Sequence, residues 1–332
     1  MINTIIVGGG YAAEKFHIPG FLENRNVRLV GVIEKSNERR EYLKKVFKIN
    51  TYNNLSELIK RQIKIDLVSI VTPPNTHFDL VMEIMKLKAD IIIEKPIFLT
   101  TEEAISAKMH ADEHGVRIIA VHNKAFSSVN QKLIKEREKF GKFRRIDFHW
   151  MSKGDENHMS KDPNHWSHKL HGGRWEELIP HMLYLSFRLV GPSKLIDVHI
   201  IKHNFRLQWI KGDELIVILE SSDGFITFNL SATCNNNFFK IIGTNKSYIS
   251  KDLNLNKDIS FKNIFKRVFI KLKSLFNLSN SISSQHSNLI NQVIQSKIKG
   301  SPLPVSWEEA LYTLEMTQLI GQKINEKWSK LI

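Results

Sequence analysis

Three consecutive glycines, Gly8 to Gly10, follow a short apolar run and precede a helical pattern in the segment NTIIVGGGYAAEKF. The segment matches the pattern G-x-G-x-x-G/A. Gly8 would allow a tight turn, Gly10 would leave room for a pyrophosphate, and Ala13 would let the helix pack closely on the strand. Main-chain amides at Tyr11 and Ala12 would face the phosphates. The pattern predicts a dinucleotide-binding turn, and a plain glycine corner is the alternative.

Glu34 ends the next apolar run, VRLVGVIEK, a little over twenty residues after the glycines. A carboxylate at this position can accept both ribose hydroxyls of an adenosine and would repel a 2′-phosphate. This favours NAD over NADP as the cofactor. Lys35, Arg39 and Arg40 could hold a 2′-phosphate if Glu34 turned away, so NADP remains an alternative.

Two further apolar runs, VSIVTPPNTH and IIIEKPI, end in polar residues that could line a cofactor cleft. Ligands of open α/β sheets bind at the carboxyl ends of the strands. A charged Glu-Lys pair after three isoleucines is hard to explain by packing, because lysine is rarely buried unless it is paired. A strand-end salt bridge is the alternative. We expect the cofactor to contact Thr72, Pro73, Asn75, His77, Glu94 and Lys95.

The order of the apolar runs predicts an α/β protein with two domains. Residues 1–122 alternate short Val- and Ile-rich runs with helical patterns, which predicts a doubly wound parallel sheet of the Rossmann type. Residues 123–332 contain longer strand patterns and a hairpin signal, SSDGF. This half is predicted to form an open, mostly antiparallel sheet with flanking helices, the second helix near the end opened by a Ser-x-x-Glu cap at Ser306.

Composition limits the other classes of protein. The 332-residue chain has one cysteine, Cys234, which excludes an intrachain disulfide. It has neither a cleavable leader pattern nor an apolar run of about 18 residues that could span a bilayer, so we expect a cytoplasmic protein. The net charge of +14 is compatible with nucleic acid, anionic lipid or phosphorylated substrates. Nucleic acid is not expected, because the charge is scattered and no stacking-aromatic motif accompanies it.

The glycine turn, the TPPNTH segment and the EKP motif occur here in the order and spacing found in the Gfo/Idh/MocA oxidoreductases, which the chain resembles over nearly its whole length. The resemblance implies a Rossmann domain that binds NAD(P), residues 1–122. It also implies a second domain, residues 123–332, that supplies the substrate pocket and commonly an oligomer interface. The lysine of the motif corresponds to Lys95, which the resemblance places against the substrate hydroxyl and the nicotinamide ribose.

A second signature of the family, a glycine run followed by aspartate and histidine, corresponds to HGGRWEELIPHMLYL. Glu177 occupies the aspartate position and His181 the histidine position, and their spacing of four places both on one helical face. Arg174 interrupts the glycine run. Ala125 stands where many members have arginine, so a substrate anion held there in relatives needs another partner here.

Oxidation of a secondary alcohol requires removal of the hydroxyl proton while hydride leaves the same carbon. Histidine has an unperturbed pKa of roughly 6.5, so His181 is predicted to be the general base. The Lys95 ammonium would stabilise the developing alkoxide, and Glu177 would hold a neighbouring hydroxyl or orient the base. An exchange of the roles of Lys95 and His181 stays open. The nicotinamide carries the hydride chemistry, so no metal is expected.

Two other segments are candidate substrate contacts. AVHNKAF supplies His122, Asn123 and Lys124, and a polar loop rich in histidine supplies His165 and Trp166. A solvated surface loop is the alternative for the second segment. The expected substrate is a sugar, cyclitol or sugar-nucleotide alcohol. The competing functions are an NAD-dependent glycosidase of the same family and a non-catalytic nucleotide-binding sensor or scaffold.

A basic segment at about 257–283 does not belong to either pattern. Its apolar residues recur at helical spacing across residues 261–276, with lysines between them. Such an amphipathic helix could lie on an anionic membrane surface or pack on the sheet with its lysines in water.

Overall fold

The computed structural model describes residues 1–154, 158–203, 207–250 and 284–331. The basic segment 257–283 therefore lies outside the described residues. Within these ranges no helix is both long and apolar enough to cross a membrane.

The first sheet has six parallel strands in the order β3-β2-β1-β4-β5-β6. Strands β4, β5 and β6 are buried along their whole length because helices cover both faces, which explains their continuous apolar content. The predicted doubly wound parallel sheet is confirmed. Its strands are β1 (Ile2–Val7), β2 (Val27–Ile33), β3 (Thr51–Tyr52), β4 (Leu67–Ile70), β5 (Asp90–Ile93) and β6 (Ile118–Ala120).

The helices of this part begin at side-chain caps where the sequence offers them: Ser36, Asn54 and Thr100 each accept a hydrogen bond from the first turn of the helix that follows. A π-helical turn at Ala13–His17 precedes the first α-helix, so the segment after the glycines is not one regular α-helix. The helices are α1 (Ile18–Leu22), α2 (Asn37–Phe47), α3 (Leu55–Ile59), α4 (His77–Ile84) and α5 (Thr101–His114).

The second sheet also has six strands, in the order β12-β11-β7-β10-β9-β8. Neighbouring strands are antiparallel except β7 and β10, which are parallel. The prediction of a mostly antiparallel sheet is confirmed. Its strands are β7 (Phe143–Met151), β8 (Lys194–Ile201), β9 (Glu214–Glu220), β10 (Phe225–Ser231), β11 (Phe238–Gly243) and β12 (Ser247–Ser250).

A long buried helix, α8 (Arg174–Val190), lies against this sheet and positions the second signature. Tyr184 of α8 donates a hydrogen bond to Glu309 at 3.1 Å, which ties α8 to the last helix. That helix opens with the predicted capping box at Ser306. The remaining helices are α6 (Ser128–Lys135), α7 (His158–Lys161), α9 (Ser284–Lys299) and α10 (Trp307–Trp328).

Helix α9 returns to the first sheet and packs on α1. Asn24 donates to Asn291 at 2.7 Å, and Asn288 donates to the main-chain oxygen of Phe126 at 3.0 Å. Residues near the end of the chain therefore complete the wall beside the carboxyl ends of β4 and β5.

Candidate active site

The glycine turn lies at the point where the strand order reverses, between β1 and β4. Gly8 has φ +98°, and a Cβ there would lie 2.8 Å from Thr72 Cγ2 and from the Val71 oxygen. At Gly10 a Cβ would meet no protein atom within 4 Å. The turn is therefore tight at Gly8 and open at Gly10, as a backbone that receives a pyrophosphate must be.

The residues after the glycines divide between surface and core. Tyr11 is 58% exposed, whereas Ala13 is fully buried. Ala12 precedes the π-helical turn, in which Ala13 and His17 are buried. A small buried side chain at position 13 is what close packing of this turn requires, and the contact of Ala13 with a cofactor stays a prediction.

Glu34 follows β2 and faces the glycine turn. Its carboxylate accepts a hydrogen bond from the Gly9 amide at 2.8 Å. Arg39 donates to the Gly9 oxygen at 2.6 Å, and Arg40 donates to the Glu34 main-chain oxygen at 2.8 Å. Both guanidinium groups are thus engaged by the protein, while Lys35 is exposed. The carboxylate, rather than a cation, occupies the edge where an adenosine ribose would bind.

The loop after β4 presents Thr72 to the cleft and leaves Pro73 and Asn75 exposed. His77 is fully buried below them. Its Nε2 lies 2.8 Å from the Thr72 oxygen, and its Nδ1 lies 3.0 Å from the Pro96 oxygen. Burial lowers the pKa of His77. In this position the imidazole joins the loops after β4 and β5, and it shapes the cleft from below.

The carboxylate of Glu94 contacts two imidazoles, those of His17 and His286. Its Oε1 lies 2.9 Å from His17 Nε2 and 3.6 Å from His286 Nε2, and His17 Nδ1 lies 2.8 Å from Ser69 Oγ. Burial opposes ionisation, but the hydrogen bonds from His17 and His286 hold the pKa of Glu94 well below its ordinary value. Three potential metal-ligand atoms lie here within 4.8 Å of one another. Hydrogen bonding to the carboxylate accounts for their convergence.

Lys95, the next residue, turns the other way and reaches α8. Its Nζ lies 2.9 Å from the main-chain oxygen of Glu177 and pairs with the Glu177 carboxylate. The two side chains are 9% and 11% exposed. The structure thus brings together two residues from the two signatures, 82 positions apart in sequence.

His181 lies one turn beyond Glu177 on the same helix. Among the described residues its buried Nδ1 has no hydrogen-bond partner, and its ring stacks on Trp150 at 5.7 Å between centroids. Burial and the nearby positive charges of Lys95 and Lys124 lower the pKa of His181 well below its ordinary value. The imidazole is therefore neutral at pH 7 and able to accept a proton.

The AVHNKAF segment lines the same centre. His122 stacks on Tyr184 at 4.2 Å, and in the portion of the chain that the structure describes neither of its ring nitrogens has a hydrogen-bond partner. Burial, reinforced by the Lys95 charge, lowers the pKa of His122 to about 3. Lys124 places its Nζ 5.4 Å from the centroid of the Trp150 ring, and Asn123 Nδ2 lies 3.4 Å from Gln285 Oε1.

The polar loop contributes less directly. His165 caps a short turn through Ser167, and its ring lies 5.2 Å from that of Trp166. Over the described ranges, neither residue makes a hydrogen bond or ring contact with Lys95, Glu177 or His181. Their expected role as substrate contacts therefore stays a prediction.

Sequence reasoning did not identify several residues of this centre. In the sequence, Trp150 and Tyr184 cannot be distinguished from ordinary core aromatic residues, although they stack on His181 and His122. The contacts of Glu94 with His17 and His286 form only through tertiary packing. Arg174 was visible only as an interruption of a glycine run. Its spacing of three from Glu177 and seven from His181 was the signal that could have revealed it, since these intervals share a helical face.

The architecture combines a Rossmann-type parallel sheet with a second, mostly antiparallel sheet against which α8 packs. Residues 2–122 match a family model described as an oxidoreductase family, NAD-binding Rossmann fold. Residues 113–330 match its companion, the C-terminal alpha/beta domain. The chain belongs to the Gfo/Idh/MocA oxidoreductase family and carries its NAD-binding domain.

Among relatives, scyllo-inositol 2-dehydrogenase (NADP(+)) IolW of Bacillus subtilis is 21% identical over 98% of this chain and 94% of its own length. UDP-N-acetylglucosamine 3-dehydrogenase of Acidithiobacillus ferrooxidans is 30% identical over 31% of each chain. The solved structure of that second enzyme, GnnA, has a TM-score of 0.76 at 18% identity, covering 98% of this chain and 99% of its own. GenD2 from gentamicin A biosynthesis, in complex with NAD, also has a TM-score of 0.76, at 17% identity over 98% and 95% of the two chains.

Proposed function

We propose that this protein is an NAD-dependent dehydrogenase that oxidises a secondary alcohol of a sugar, cyclitol or sugar nucleotide, or catalyses the reverse reduction. The observation that carries the proposal is the Lys95–Glu177 pair beside His181 at the carboxyl edge of the Rossmann sheet. Relatives named for inositol and for a UDP-sugar support this range of substrates. We assign the cofactor to residues 1–122 and the substrate pocket chiefly to residues 123–332.

The residues at the glycine turn fit a dinucleotide. The space at Gly10 that no protein atom fills would take the pyrophosphate, beside the amides of Tyr11 and Ala12. Glu34 would accept the adenosine ribose hydroxyls, and Thr72 and Asn75 would line the nicotinamide side. A carboxylate at the ribose and two engaged arginines support NAD over NADP. When bound, the cofactor supplies the hydride acceptor.

His181 would take the hydroxyl proton of the substrate. Its imidazole is neutral because burial and neighbouring cations disfavour the charged form. Nδ1 has no partner in the described residues, so a substrate hydroxyl would satisfy a group that is otherwise buried without a hydrogen bond. The carboxylate of Glu94 is the nearby negative charge that would favour the protonated imidazole in a site already positive.

Lys95 would stabilise the alkoxide that forms as the proton leaves. An ammonium has three N–H donors. Two of them are used by Glu177, one by its main-chain oxygen and one by its carboxylate. The third donor is left for a substrate oxygen. Glu177 therefore fixes the ammonium against α8 and keeps it next to His181, which is the preorganisation that a developing negative charge requires.

The test is calorimetric titration of NAD and NADP into wild type, Gly10→Ala and Gly10→Val. Because a Cβ at Gly10 meets no protein atom, both variants should keep the wild-type melting temperature. We expect NAD binding that weakens progressively from Gly to Ala to Val. Folded wild type that binds neither cofactor would overturn the proposal. Binding followed by NADH formation with a panel of sugars, cyclitols and sugar nucleotides would complete it.

A further inference from the structure

Arg174 is the first residue of helix α8 and shares a helical face with the catalytic residues. Positions 174, 177 and 181 differ by three and seven, so their side chains follow one another along one stripe of the helix. Glu177 and His181 of this stripe face Lys95. Arg174 lies about one turn before Glu177 and roughly 10 Å along the axis from His181. It therefore lies on the same stripe as the two residues, toward the start of the helix.

Arg174 is buried, and the structure gives its guanidinium no ion pair within the described residues. The residue is 5% exposed, and its Nη1 is a buried donor that lacks a partner in that part of the chain. The guanidinium makes a cation–π contact with the Trp175 ring, whose centroid lies 5.0 Å from Arg174 Cζ. In the part of the chain that the structure describes, no carboxylate lies within salt-bridge distance of it. Glu177, the acid nearest in sequence on its face, is paired with Lys95.

A buried guanidinium nitrogen that lacks a partner is unfavourable, since this N–H group has lost its hydration and gained no hydrogen bond. Burial lowers the pKa of Arg174 only to about 10, so the group remains charged at pH 7. Such a charge is stabilised when an anionic group binds it, and guanidinium matches the planar, two-oxygen edge of a carboxylate or phosphate.

The surroundings favour the same kind of ligand. Lys95 and Lys124 both act on His181 as positive charges. Ala125 is buried at the position where the family resemblance leads one to expect an arginine. Residue 125 therefore supplies no cation to such a ligand.

We infer that Arg174 binds an anionic oxygen group of the substrate, a carboxylate or a phosphate, and that the substrate is accordingly a charged sugar rather than a neutral cyclitol. This rests on the proposed dehydrogenase function and narrows its substrate class. Arg174 acts here as a residue that determines specificity, one helical turn from the residues that perform the chemistry.

The first experiment compares wild type, Arg174→Gln and Arg174→Lys, with Arg61→Gln as the control. Arg61 is exposed, so its replacement removes the same charge away from the cleft. NAD-saturated protein is assayed with D-glucuronate, glucose 1-phosphate, UDP-N-acetylglucosamine and the neutral myo-inositol. For the charged probes that wild type oxidises, we expect Arg174→Gln to lower kcat/KM about 100-fold and Arg174→Lys to retain part of it. Neutral myo-inositol should change by less than about threefold.

The pattern of the loss identifies the anionic group. A loss confined to D-glucuronate assigns a carboxylate, and a loss confined to the two phosphorylated probes assigns a phosphate. An unchanged preference between charged and neutral probes in Arg174→Gln would overturn the inference, as would a wild-type preference for myo-inositol over all charged probes.

A second experiment needs no turnover. Melting temperatures are measured in sodium phosphate and in sodium chloride at matched ionic strength. Phosphate raises the stability of many proteins without a specific site. The readout is therefore the increment, the melting temperature in phosphate minus that in chloride, compared between variants. We expect the increment of wild type and Arg61→Gln to exceed that of Arg174→Gln by several degrees. Equal increments would contradict an anion site at Arg174. If phosphate stabilises wild type more than Arg174→Gln but wild type does not bind NAD, the anion site at Arg174 stands and only the proposed dehydrogenase function is refuted.

Discussion

The ammonium of Lys95 donates to the main-chain oxygen of Glu177 at 2.9 Å and pairs with the carboxylate of the same residue. Lys95 lies two residues beyond β5 of the Rossmann sheet, and Glu177 lies in the first turn of α8, which packs on the second sheet. The contact therefore joins the two sheets at the point where cofactor and substrate would meet. Its two partners are nearly buried, so it is both a structural link and a preorganised charge.

Lys95→Met should lower kcat by at least about 100-fold, because the developing alkoxide loses its charged donor. It should also lower the free energy of unfolding by about 3 kcal/mol, since it leaves the Glu177 carboxylate partly buried without its partner. The double variant Lys95→Met/Glu177→Leu should regain most of this stability and none of the activity. Urea denaturation and steady-state assays on the three proteins separate the two effects. A Lys95→Met enzyme with kcat within about threefold of wild type would contradict the assigned role.

The pH dependence of alcohol oxidation should reflect the lowered pKa of His181. Only neutral imidazole can accept the proton, so activity falls when acid protonates it. Because burial and the charges of Lys95 and Lys124 lower this pKa well below 6.5, kcat/KM should stay level as the pH falls through 6.5 and decline only at more acidic values. The profile is measured in NAD-saturated enzyme from pH 5 to 8.

His181→Gln provides the matched control for this profile. It keeps a polar side chain on the same helical face but cannot act as a base, so kcat/KM should drop about 100-fold and the acidic decline should disappear. A wild-type decline centred at or above pH 6.5, or an acidic limb that persists unchanged in His181→Gln, would assign the base to another group.

The sequence predicts most of the fold because its signals are local. Runs such as IDLVSIVT are apolar throughout since both faces of a parallel strand are covered, and the spacing of Glu177 and His181 alone places them on one face. The contact of Glu94 with His286 is different, because the two residues are 192 positions apart in sequence and no spacing rule links α9 to β5. Whether Arg174 has a partner also depends on every element around it. For that reason the sequence shows its presence and not its unpaired charge.

Glu34 should control the choice between NAD and NADP. Glu34→Ser removes the carboxylate that would accept the ribose hydroxyls and repel a 2′-phosphate, and it exposes the cleft to Arg39 and Arg40. The ratio of the NAD and NADP dissociation constants should shift toward NADP by about 100-fold in calorimetric titrations. Glu38→Ser, an exposed position in the first turn of α2, should leave the ratio unchanged. An unaltered ratio in Glu34→Ser would show that another group reads the ribose.

Glu176 and Glu177 are adjacent, but substitution by glutamine should change a different property at each. At Glu176 it should change stability, and at Glu177 it should change activity. Burial raises the pKa of Glu176 to about 7, although the Gly172 amide donates to its carboxylate. A carboxyl group whose pKa is higher in the folded than in the unfolded protein stabilises the fold at low pH, and this advantage is lost as the pH rises from about 4.5 through 7. Glu176→Gln should therefore raise the free energy of unfolding at pH 8, by up to about 3 kcal/mol, with no gain near pH 4.5.

Glu177→Gln should instead impair catalysis at every pH, because Lys95 loses the carboxylate that fixes it. Activity in Glu176→Gln should stay within about twofold of wild type, since its carboxyl faces Gly172 and Gly321 rather than Lys95. Urea denaturation at pH 5 and 8, combined with assays of both variants, tests the contrast. If Glu176→Gln is less stable than wild type at pH 8, the ionised Glu176 carboxylate stabilises the folded protein. The prediction from its raised pKa would then be wrong.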